Sequence, residues 1–209
     1  MDPVNAFVLL IVAGHETTAN TLSWTWYLLA QNPAAAQKLQ AELAGVLNGR
    51  TPTVEDLPQL RYTEQVVKES MRLYSPAYTL GREACEDTTI GEYAVPRGTT
   101  VFLSQWVTHR DERWFERPEK FLPERWTDAF ERERPRYAYF PFGGGPRVCI
   151  GNAFAMLEAT LLVAAVAQRY RIRLRTSKPV KPWAAVTLRP LGGIPVVVEK
   201  QRSAVATVT

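Results

Sequence analysis

The sequence is poor in the residues that build most metal sites and disulfide frameworks. Among 209 residues there are two cysteines, Cys85 and Cys149, and two histidines, His15 and His109. Two cysteines do not make a disulfide framework, and a zinc site would need three or four ligands where only one is evident. The low cysteine count favours a reducing compartment, so we expect a cytoplasmic protein.

A strong charge excess and a long apolar run are also missing. Lys and Arg total 25 against 21 Asp and Glu, a net charge of +4, and the signs alternate over residues 110–136. This leaves no basic stripe for nucleic acid, and we predict no nucleic-acid partner. The apolar run at residues 6–13 is too short to span a bilayer, and the N-terminal Met1-Asp2-Pro3 has no positive region typical of a signal peptide.

Helical signals dominate the first third of the chain, and strand signals come after them. The sequence predicts helices over residues 3–31, 33–47, 61–74 and 152–169, with Asp2 as the first N-cap and a short helical turn from Thr53 that ends at Pro58. It predicts strands over 78–84, 88–93, 99–107, 170–175, 185–189 and 194–200, and a frayed tail over 203–209. Residues 109–137 form an irregular stretch. The fold class is therefore predicted to be mainly α with small β-sheets, in one domain over residues 1–209.

The most informative stretch is the loop over residues 142–151. Three consecutive glycines at 143–145 allow the backbone to pass close to something flat or bulky, and Pro146 stiffens the backbone after them. Cys149 ends the loop just before an apolar helix. The helix dipole and the nearby cation of Arg147 both favour the thiolate form of this cysteine.

A thiolate presented in this way can be a nucleophile, a redox thiol or a metal ligand. A nucleophile needs a base, and neither histidine is near Cys149 in sequence, although folding could bring one close. A redox thiol normally has a resolving partner, and Cys85 has no Cys-x-x-Cys relationship to it. One thiolate suffices when the remaining ligands come from a macrocycle, as in haem. The glycines would then pass under a porphyrin, and Arg147 would pair with a propionate.

The pattern Phe142-x-x-Gly145-x-Arg147-x-Cys149-x-Gly151 resembles the haem-binding signature of the cytochrome P-450 family. The resemblance implies haem b as cofactor, with Cys149 as its axial thiolate and metal ligand. It implies that Phe142 packs against the haem or the sulfur loop, and that Arg147 holds a propionate. The amide of Gly151 would hydrogen-bond the sulfur.

The segment Ala13-Gly14-x-Glu16-Thr17-Thr18 resembles the oxygen-activation motif of the same family. Without this resemblance, a carboxylate and two threonines within a helix would be explained equally well as a polar face that points to solvent. By the resemblance, Ala13 and Gly14 let the helix approach the distal face of the haem. Thr17 would hold dioxygen, and Glu16 would relay protons from solvent.

Two further motifs of that family are present, and all four motifs follow one another in the order that the family has. Its remaining signatures are matched by Glu69-x-x-Arg72 and by Pro123-Glu124-Arg125-Trp126. Taken alone, the first of these spacings would indicate only a surface ion pair of little energetic value. The resemblance implies a buried structural triad of Glu69, Arg72 and Arg125. Arg82 is expected to bind a second propionate.

Two residues near these motifs are predicted to have packing roles. His109 begins a His-Arg-Asp segment familiar in this family, and we interpret it as packing rather than as a haem contact. Cys85 is expected to be a small buried residue.

The resemblance implies a haem-thiolate monooxygenase that inserts one oxygen atom from dioxygen into a lipophilic organic substrate. Its electrons would come from a separate redox partner, a ferredoxin or a flavoprotein reductase. The match corresponds to the C-terminal half of the family fold. We therefore expect a fragment, a protein with a misassigned start, or half of a split protein whose N-terminal half is missing. Any membrane anchor would lie in that half. The alternatives are a non-catalytic fragment that binds haem weakly or not at all alone, and a peroxide-driven peroxygenase, which the Glu16-Thr17 pair disfavours.

Overall fold

The computed structural model describes residues 2–201, and within them the chain is mainly helical. The α-helices are α1 (Pro3–Gln31), α2 (Pro33–Leu47), α3 (Arg61–Leu73), α4 (Gln105–Thr108), α5 (Asp128–Glu133) and α6 (Asn152–Ala167). Short 3-10 helices cover Val54–Gln59, Pro123–Arg125, Arg136–Ala138 and Gly145–Arg147. The predicted tail over residues 203–209 lies outside the described residues.

The strands of the described chain pair into four small antiparallel sheets. The strands are β1 (Leu80–Glu83), β2 (Thr88–Ile90), β3 (Tyr93–Val95), β4 (Thr100–Leu103), β5 (Tyr170–Leu174), β6 (Pro182–Ala184), β7 (Leu188–Pro190) and β8 (Val196–Lys200). β1 pairs with β4, β2 with β3, β5 with β8, and β6 with β7. The predicted fold class, mainly α with small sheets, is confirmed.

Helix α1 begins and ends where the sequence predicts. The side chain of Asp2 caps its first turn by accepting a hydrogen bond from the amide of Val4 at 3.2 Å, and Pro3 supplies a φ already suited to the first helical position. The helix ends before Asn32-Pro33 because the residue preceding a proline disfavours helical backbone. No helix among residues 2–201 is both long and apolar enough to cross a membrane.

The hydrophobic core lies where α1, α2, α3 and α6 meet, and Trp24 of α1 is fully buried in it. Its ring stacks on Tyr74, with centroids 4.0 Å apart and ring planes 8° from parallel. Its Nε1 donates to the carbonyl of Leu188 at 3.0 Å, so α1 is tied to β7. The buried stripe of α2 has the spacing of one helix face: Ala35, Leu39, Leu43 and Leu47.

The strand predicted over residues 99–107 is too long, because a helix cap intervenes. The strand β4 ends at Leu103, and the hydroxyl of Ser104 then accepts a hydrogen bond from the amide of Val107 at 3.3 Å. This cap begins α4, a four-residue helix. Valine and threonine favour strands in isolation, but the serine cap supplies the partner that starts a helix here.

The strand predicted over residues 185–189 begins too early, because only residues 188 and 189 lie in β7, which covers Leu188–Pro190. Residues 185–187 form a turn between β6 and β7, in which the amide of Ala185 donates to the carbonyls of Trp183 and Thr187 at 3.1 and 3.3 Å. Apolar and β-branched residues suggested a strand, whereas this closure reverses the chain direction. Helix α5, which Thr127 caps, lies within the stretch predicted to be irregular.

Two predictions about single residues have opposite outcomes. Cys85 was expected to be buried but is exposed. It lies just beyond the end of β1 at Glu83, and both β1 and its partner β4 are mostly exposed. The packing role of His109 is confirmed: its ring is fully buried and lies against those of Tyr139 and Phe140, with centroids 5.0 and 5.3 Å away.

Two glycines at the end of α2 give a matched test of its geometry. A Cβ on Gly45 would meet nothing within 4 Å, so Gly45→Ala should stabilise the fold by about 0.5–1 kcal/mol through helix propensity. Gly49 comes after the left-handed cap residue Asn48 and has a φ of +84°, so Gly49→Ala should destabilise it by about 1 kcal/mol. Urea unfolding measures both changes, and free energies that shift in the same direction would contradict this description of α2.

Candidate functional site

A tight loop over residues 142–149 is the centre of the candidate site. Its ends meet where the amide of Cys149 donates to the carbonyl of Phe142 at 2.9 Å. At its tip, the amide of Val148 donates to the carbonyl of Gly145 at 3.1 Å. Hydrogen bonds therefore fix the loop backbone at both neck and tip.

Two of the loop glycines are needed for separate reasons. Gly143 has a φ of +73°, a left-handed conformation that other residues rarely adopt. Gly144 has extended backbone, but a Cβ there would lie 2.5 Å from a ring carbon of Tyr137. Within the described chain, the flat group that the glycine backbone closely approaches is thus a tyrosine ring.

Cys149 lies exposed at the end of this loop. Helix α6 begins at Asn152, with Gly151 as its N-cap, so the thiol precedes a helix N-terminus as predicted. A Cβ on Gly151 would lie 3.9 Å from the Sγ of Cys149. Ile150 is 94% exposed, and Phe154 in the first turn of α6 is 67% exposed. The thiol is therefore presented among apolar side chains that residues 2–201 leave open.

The two arginines predicted to bind propionates carry exposed side chains. Neither Arg147 nor Arg82 makes an ion pair within 4.0 Å with any carboxylate of residues 2–201. Arg82 donates from Nη1 to the carbonyl of its neighbour Gly81 at 2.8 Å. Both guanidinium groups are accessible to an anionic ligand.

Glu16 and Thr17 are half-buried on α1. The hydroxyl of Thr17 donates to the carbonyl of Ala13 at 2.6 Å, the back-bond expected of a helical threonine. The Oε1 atom of Glu16 accepts a hydrogen bond from the hydroxyl of Thr187 at 2.6 Å. Ala13 and Gly14 are exposed, and a Cβ on Gly14 would meet nothing within 4 Å. This part of α1 is open to a ligand.

The predicted site residues form two separate clusters in the structure. Among residues 2–201, no hydrogen bond or ion pair joins Glu16 or Thr17 to the loop over 142–149. The clusters are connected through the packing of α1 on α6. In the same part of the chain, no group of three or more His, Cys, Asp or Glu side chains is placed to hold a metal ion.

A third cluster centres on the buried carboxylate of Glu69 on α3, which accepts five hydrogen bonds. Arg72 donates two, from Nε and Nη2, each at 2.9 Å. Arg125 donates from Nε at 3.1 Å, the amide of Leu122 at 3.0 Å and Nε1 of Trp126 at 2.9 Å. The predicted structural triad of Glu69, Arg72 and Arg125 is confirmed.

Arg72 is fully buried, and its guanidinium donates to three backbone carbonyls besides Glu69. These belong to His109 at 2.8 Å, Pro118 at 2.7 Å and Lys120 at 3.0 Å. Every N–H of this side chain therefore has an acceptor. The long irregular stretch after α4 is held against α3 by these bonds.

Sequence reasoning missed three residues of these clusters: Trp126, Thr187, and Asn20, whose Nδ2 donates to the hydroxyl of Thr187 at 3.1 Å. Trp126 could have been found, because it comes directly after Arg125 in one motif and a buried indole N–H needs an acceptor. Thr187 and Asn20 carry no comparable signal. Thr187 lies 171 positions from Glu16 in sequence, and only the tertiary fold brings their side chains together.

His109 shows how strongly this region excludes water. Its Nε2 accepts a hydrogen bond from the amide of Phe140 at 2.9 Å, so the neutral ring carries its proton on Nδ1. Burial, with a further contribution from the nearby cation of Arg72, lowers the pKa of His109 to about 3.

The fold and its clusters define a class: mainly helical proteins that present one cysteine on a rigid loop before a helix. A family model, cytochrome P-450, matches residues 3–194 of this chain. The chain therefore belongs to the cytochrome P-450 family, as its motifs predict.

Three known proteins illustrate the similarity. Cyclooctatin synthase of Streptomyces melanosporofaciens is 44% identical over 188 residues, which cover 89% of this chain and 41% of that protein. The chloroplastic carotene epsilon-monooxygenase of Arabidopsis thaliana is 37% identical over 189 residues, or 88% of this chain and 35% of that one. The crystal structure of a cytochrome P-450 (CYP102L1) matches with a TM-score of 0.87 at 30% identity, covering 95% of this chain and 45% of that one. The chain spans less than half the length of each.

The Glu69 cluster predicts a large loss of stability when its charge is removed. Glu69→Gln leaves the guanidinium groups of Arg72 and Arg125 without a counter-charge in a dry site, which should cost about 3–5 kcal/mol. The control is Glu131→Gln, whose carboxylate pairs with Lys68 at 2.7 Å on a partly exposed surface and should cost under about 1 kcal/mol. Urea unfolding measures both, and equal small losses would contradict a bracing role for Glu69.

The buried His109 predicts a loss of stability in mild acid. Because its pKa falls from an ordinary 6.5 to about 3 in the folded protein, only the unfolded chain binds the proton between these values. Stability should therefore fall by about 1.4 kcal/mol for each pH unit below 6.5.

Two variants separate this effect from other titrations. In His109→Gln the amide oxygen can still accept from Phe140, and the slope between about pH 6.5 and 4.5, above the ordinary pKa range of carboxylates, should disappear. The exposed His15 serves as control, and His15→Gln should retain the slope. Urea midpoints at several pH values provide the measurement, and an unchanged slope in His109→Gln would show that another group is responsible.

Proposed function

We propose that this chain provides the haem-binding and oxygen-activating part of a haem-thiolate monooxygenase. The enzyme inserts one oxygen atom of dioxygen into a lipophilic organic substrate, and the other atom leaves as water. Two electrons come from a separate ferredoxin or flavoprotein reductase, and two protons from solvent. The observation that carries this proposal is the exposed thiol of Cys149 at the end of the hydrogen-bonded loop.

The residues around the loop fit a haem group. One exposed thiol suffices as the protein ligand of a macrocyclic iron, and Cys149 would supply that thiolate to haem b. The accessible guanidinium groups of Arg147 and Arg82 suit its two propionates, since neither is engaged by a carboxylate of residues 2–201. The exposed side chains of Ile150 and Phe154 suit an apolar macrocycle. Phe142 packs against the hydrophobic core beneath the loop and would fix the position of the loop relative to that core.

Bound haem supplies the iron at which dioxygen is reduced and its oxygen transferred. The chain's own contribution to oxygen handling would be the pair Glu16 and Thr17 on α1. Thr17 already donates its hydroxyl proton to the carbonyl of Ala13, so its oxygen lone pairs remain free to accept. Glu16 is half-buried, which suits a carboxylate that moves protons inward from solvent. The open surface at Ala13 and Gly14 lets this pair approach a ligand.

The substrate class is supported by a relative. The Arabidopsis protein is named a carotene epsilon-monooxygenase, and carotene is an apolar hydrocarbon. The side chain of Val186, 95% exposed at the turn that contacts Glu16, would offer an apolar surface to such a substrate.

A second candidate is that the chain alone is a non-catalytic fragment that retains haem weakly. The observation in its favour is the exposure of Val148, Ile150 and Phe154, at 46%, 94% and 67%. A haem held on this surface by residues 2–201 would remain in contact with water, which weakens apolar and ionic binding.

The assignment of Cys149 is tested with both cysteines. The haem-loaded protein is reduced under carbon monoxide, and thiolate ligation should give a strongly red-shifted Soret band. Cys149→Ala should abolish this band, because it removes the ligand. Cys85→Ala removes another exposed thiol, far from the loop in sequence, and should leave the band unchanged.

The measurement is made on two proteins, the 209-residue chain and a chimera in which residues 3–194 replace the matching segment of the Streptomyces cyclooctatin synthase. A thiolate band in the chimera that disappears in Cys149→Ala supports the first proposal. The same band at full occupancy in the chain alone would rule out the second candidate. A chimera that binds haem without a thiolate band, or a band that depends on Cys85, would overturn the first.

A further inference from the structure

A directed chain of hydrogen bonds leads across the fold to Glu16. The amide Nδ2 of Asn20 donates to the hydroxyl of Thr187 at 3.1 Å. The same hydroxyl donates to Oε1 of Glu16 at 2.6 Å. A hydroxyl has one proton, so a Thr187 that accepts from an amide must direct that proton at the carboxylate. The hydroxyl is therefore fixed in orientation from both sides.

Burial makes this arrangement specific. Asn20 is 8% and Thr187 is 9% exposed, while Glu16 is only half-buried. Asn20 and Glu16 lie four positions apart on α1, on the same helix face. Hydrogen bonds between shielded groups are stronger than those in water. One oxygen of the Glu16 carboxylate is thus held by a hydrogen bond from a buried residue, while the side chain retains access to solvent.

The turn that carries Thr187 is itself held on both sides. The hydroxyl of Tyr78 donates to the carbonyl of Ala185 at 2.9 Å. The amide of Leu188 donates to the carbonyl of Pro76 at 2.9 Å, and Trp24 donates to the carbonyl of the same Leu188 at 3.0 Å. Thr187 therefore cannot follow a moving Glu16 without breaking several bonds.

We propose that Thr187 is a positioning residue that fixes the rotamer of Glu16 and couples it to the turn bearing Val186. This inference rests on the proposed function, in which Glu16 relays protons. Thr187 thereby holds the carboxylate in the orientation from which it would deliver protons.

The first test uses the 209-residue chain without haem. Glutamate labelled with carbon-13 at its carboxyl carbon is incorporated, and the Glu16 resonance is assigned with Glu16→Gln. Thr187→Val keeps the shape of the side chain but removes the hydroxyl, and should shift this resonance. Thr187→Ser retains the hydroxyl and should restore it. Thr25→Val removes another buried helix-facing hydroxyl, which bonds to the carbonyl of Thr21 at 2.8 Å, and should leave it unchanged.

The second test uses the haem-loaded chimera that carries residues 3–194. A proton-relay group contributes about 10²–10⁴-fold to rate, so disordering Glu16 in Thr187→Val should lower kcat about tenfold while KM changes little. More of the supplied electrons should be lost as hydrogen peroxide. Thr187→Ser should recover both quantities.

The outcomes separate the two proposals. A resonance of Glu16 that is identical in wild type and Thr187→Val, or a Thr187→Ser that behaves like Thr187→Val, overturns the positioning role. A shifted resonance with unchanged kcat and peroxide yield also overturns it for the reaction, although the hydrogen bond stands. A chimera with no thiolate-ligated haem contradicts the proposed function, while the carboxyl measurement still reports on Thr187.

Discussion

A buried carboxylate holds this structure together. Glu69 is removed from water, a costly position for a charge unless its oxygens are fully satisfied, and it accepts five hydrogen bonds from Arg72, Leu122, Arg125 and Trp126. Through Arg72 the same cluster secures three carbonyls of an otherwise irregular chain. That stretch runs on to the tyrosine ring on which the glycine loop packs. The position of the exposed thiol thus depends on a carboxylate that takes no part in its chemistry.

The core connects the two clusters that the proposed reaction needs. Trp24 stacks on Tyr74 and donates to the carbonyl of Leu188, so one side chain joins α1, the end of α3 and β7. Helix α1 also packs on α6, which begins just after the cysteine loop. The carboxylate of Glu16 and the thiol of Cys149 share no hydrogen bond, yet both are attached to elements of a single core. A rigid core allows two groups to act on one ligand without touching each other.

Local signals predicted much of the fold, and tertiary contacts decided the rest. The start of α1 at Asp2-Pro3 and the close of α2 at Asn48-Gly49 result from caps that act within a few residues. The pairing of Glu69 with Arg72 and Arg125 required a family pattern, since the spacing alone also describes a surface pair. The turn at residues 185–187 was missed because its apolar and β-branched residues favour a strand. The contact of Thr187 with Glu16 could not be predicted, because the two residues lie 171 positions apart in the chain. The burial of Cys85 was predicted wrongly, because residue type alone does not reveal that the neighbouring β1–β4 sheet is exposed.

In the proposed function, the loop over residues 142–149 presents Cys149 to a haem iron. X-ray absorption at the iron K-edge of the haem-loaded chimera carrying residues 3–194 tests this most directly, because it identifies the atoms bound to the metal. One sulfur neighbour is expected in the first coordination shell, present in Cys85→Ala and lost in Cys149→Ala. A first shell of nitrogen and oxygen alone in the unmodified protein, or a sulfur neighbour that persists in Cys149→Ala, would contradict it.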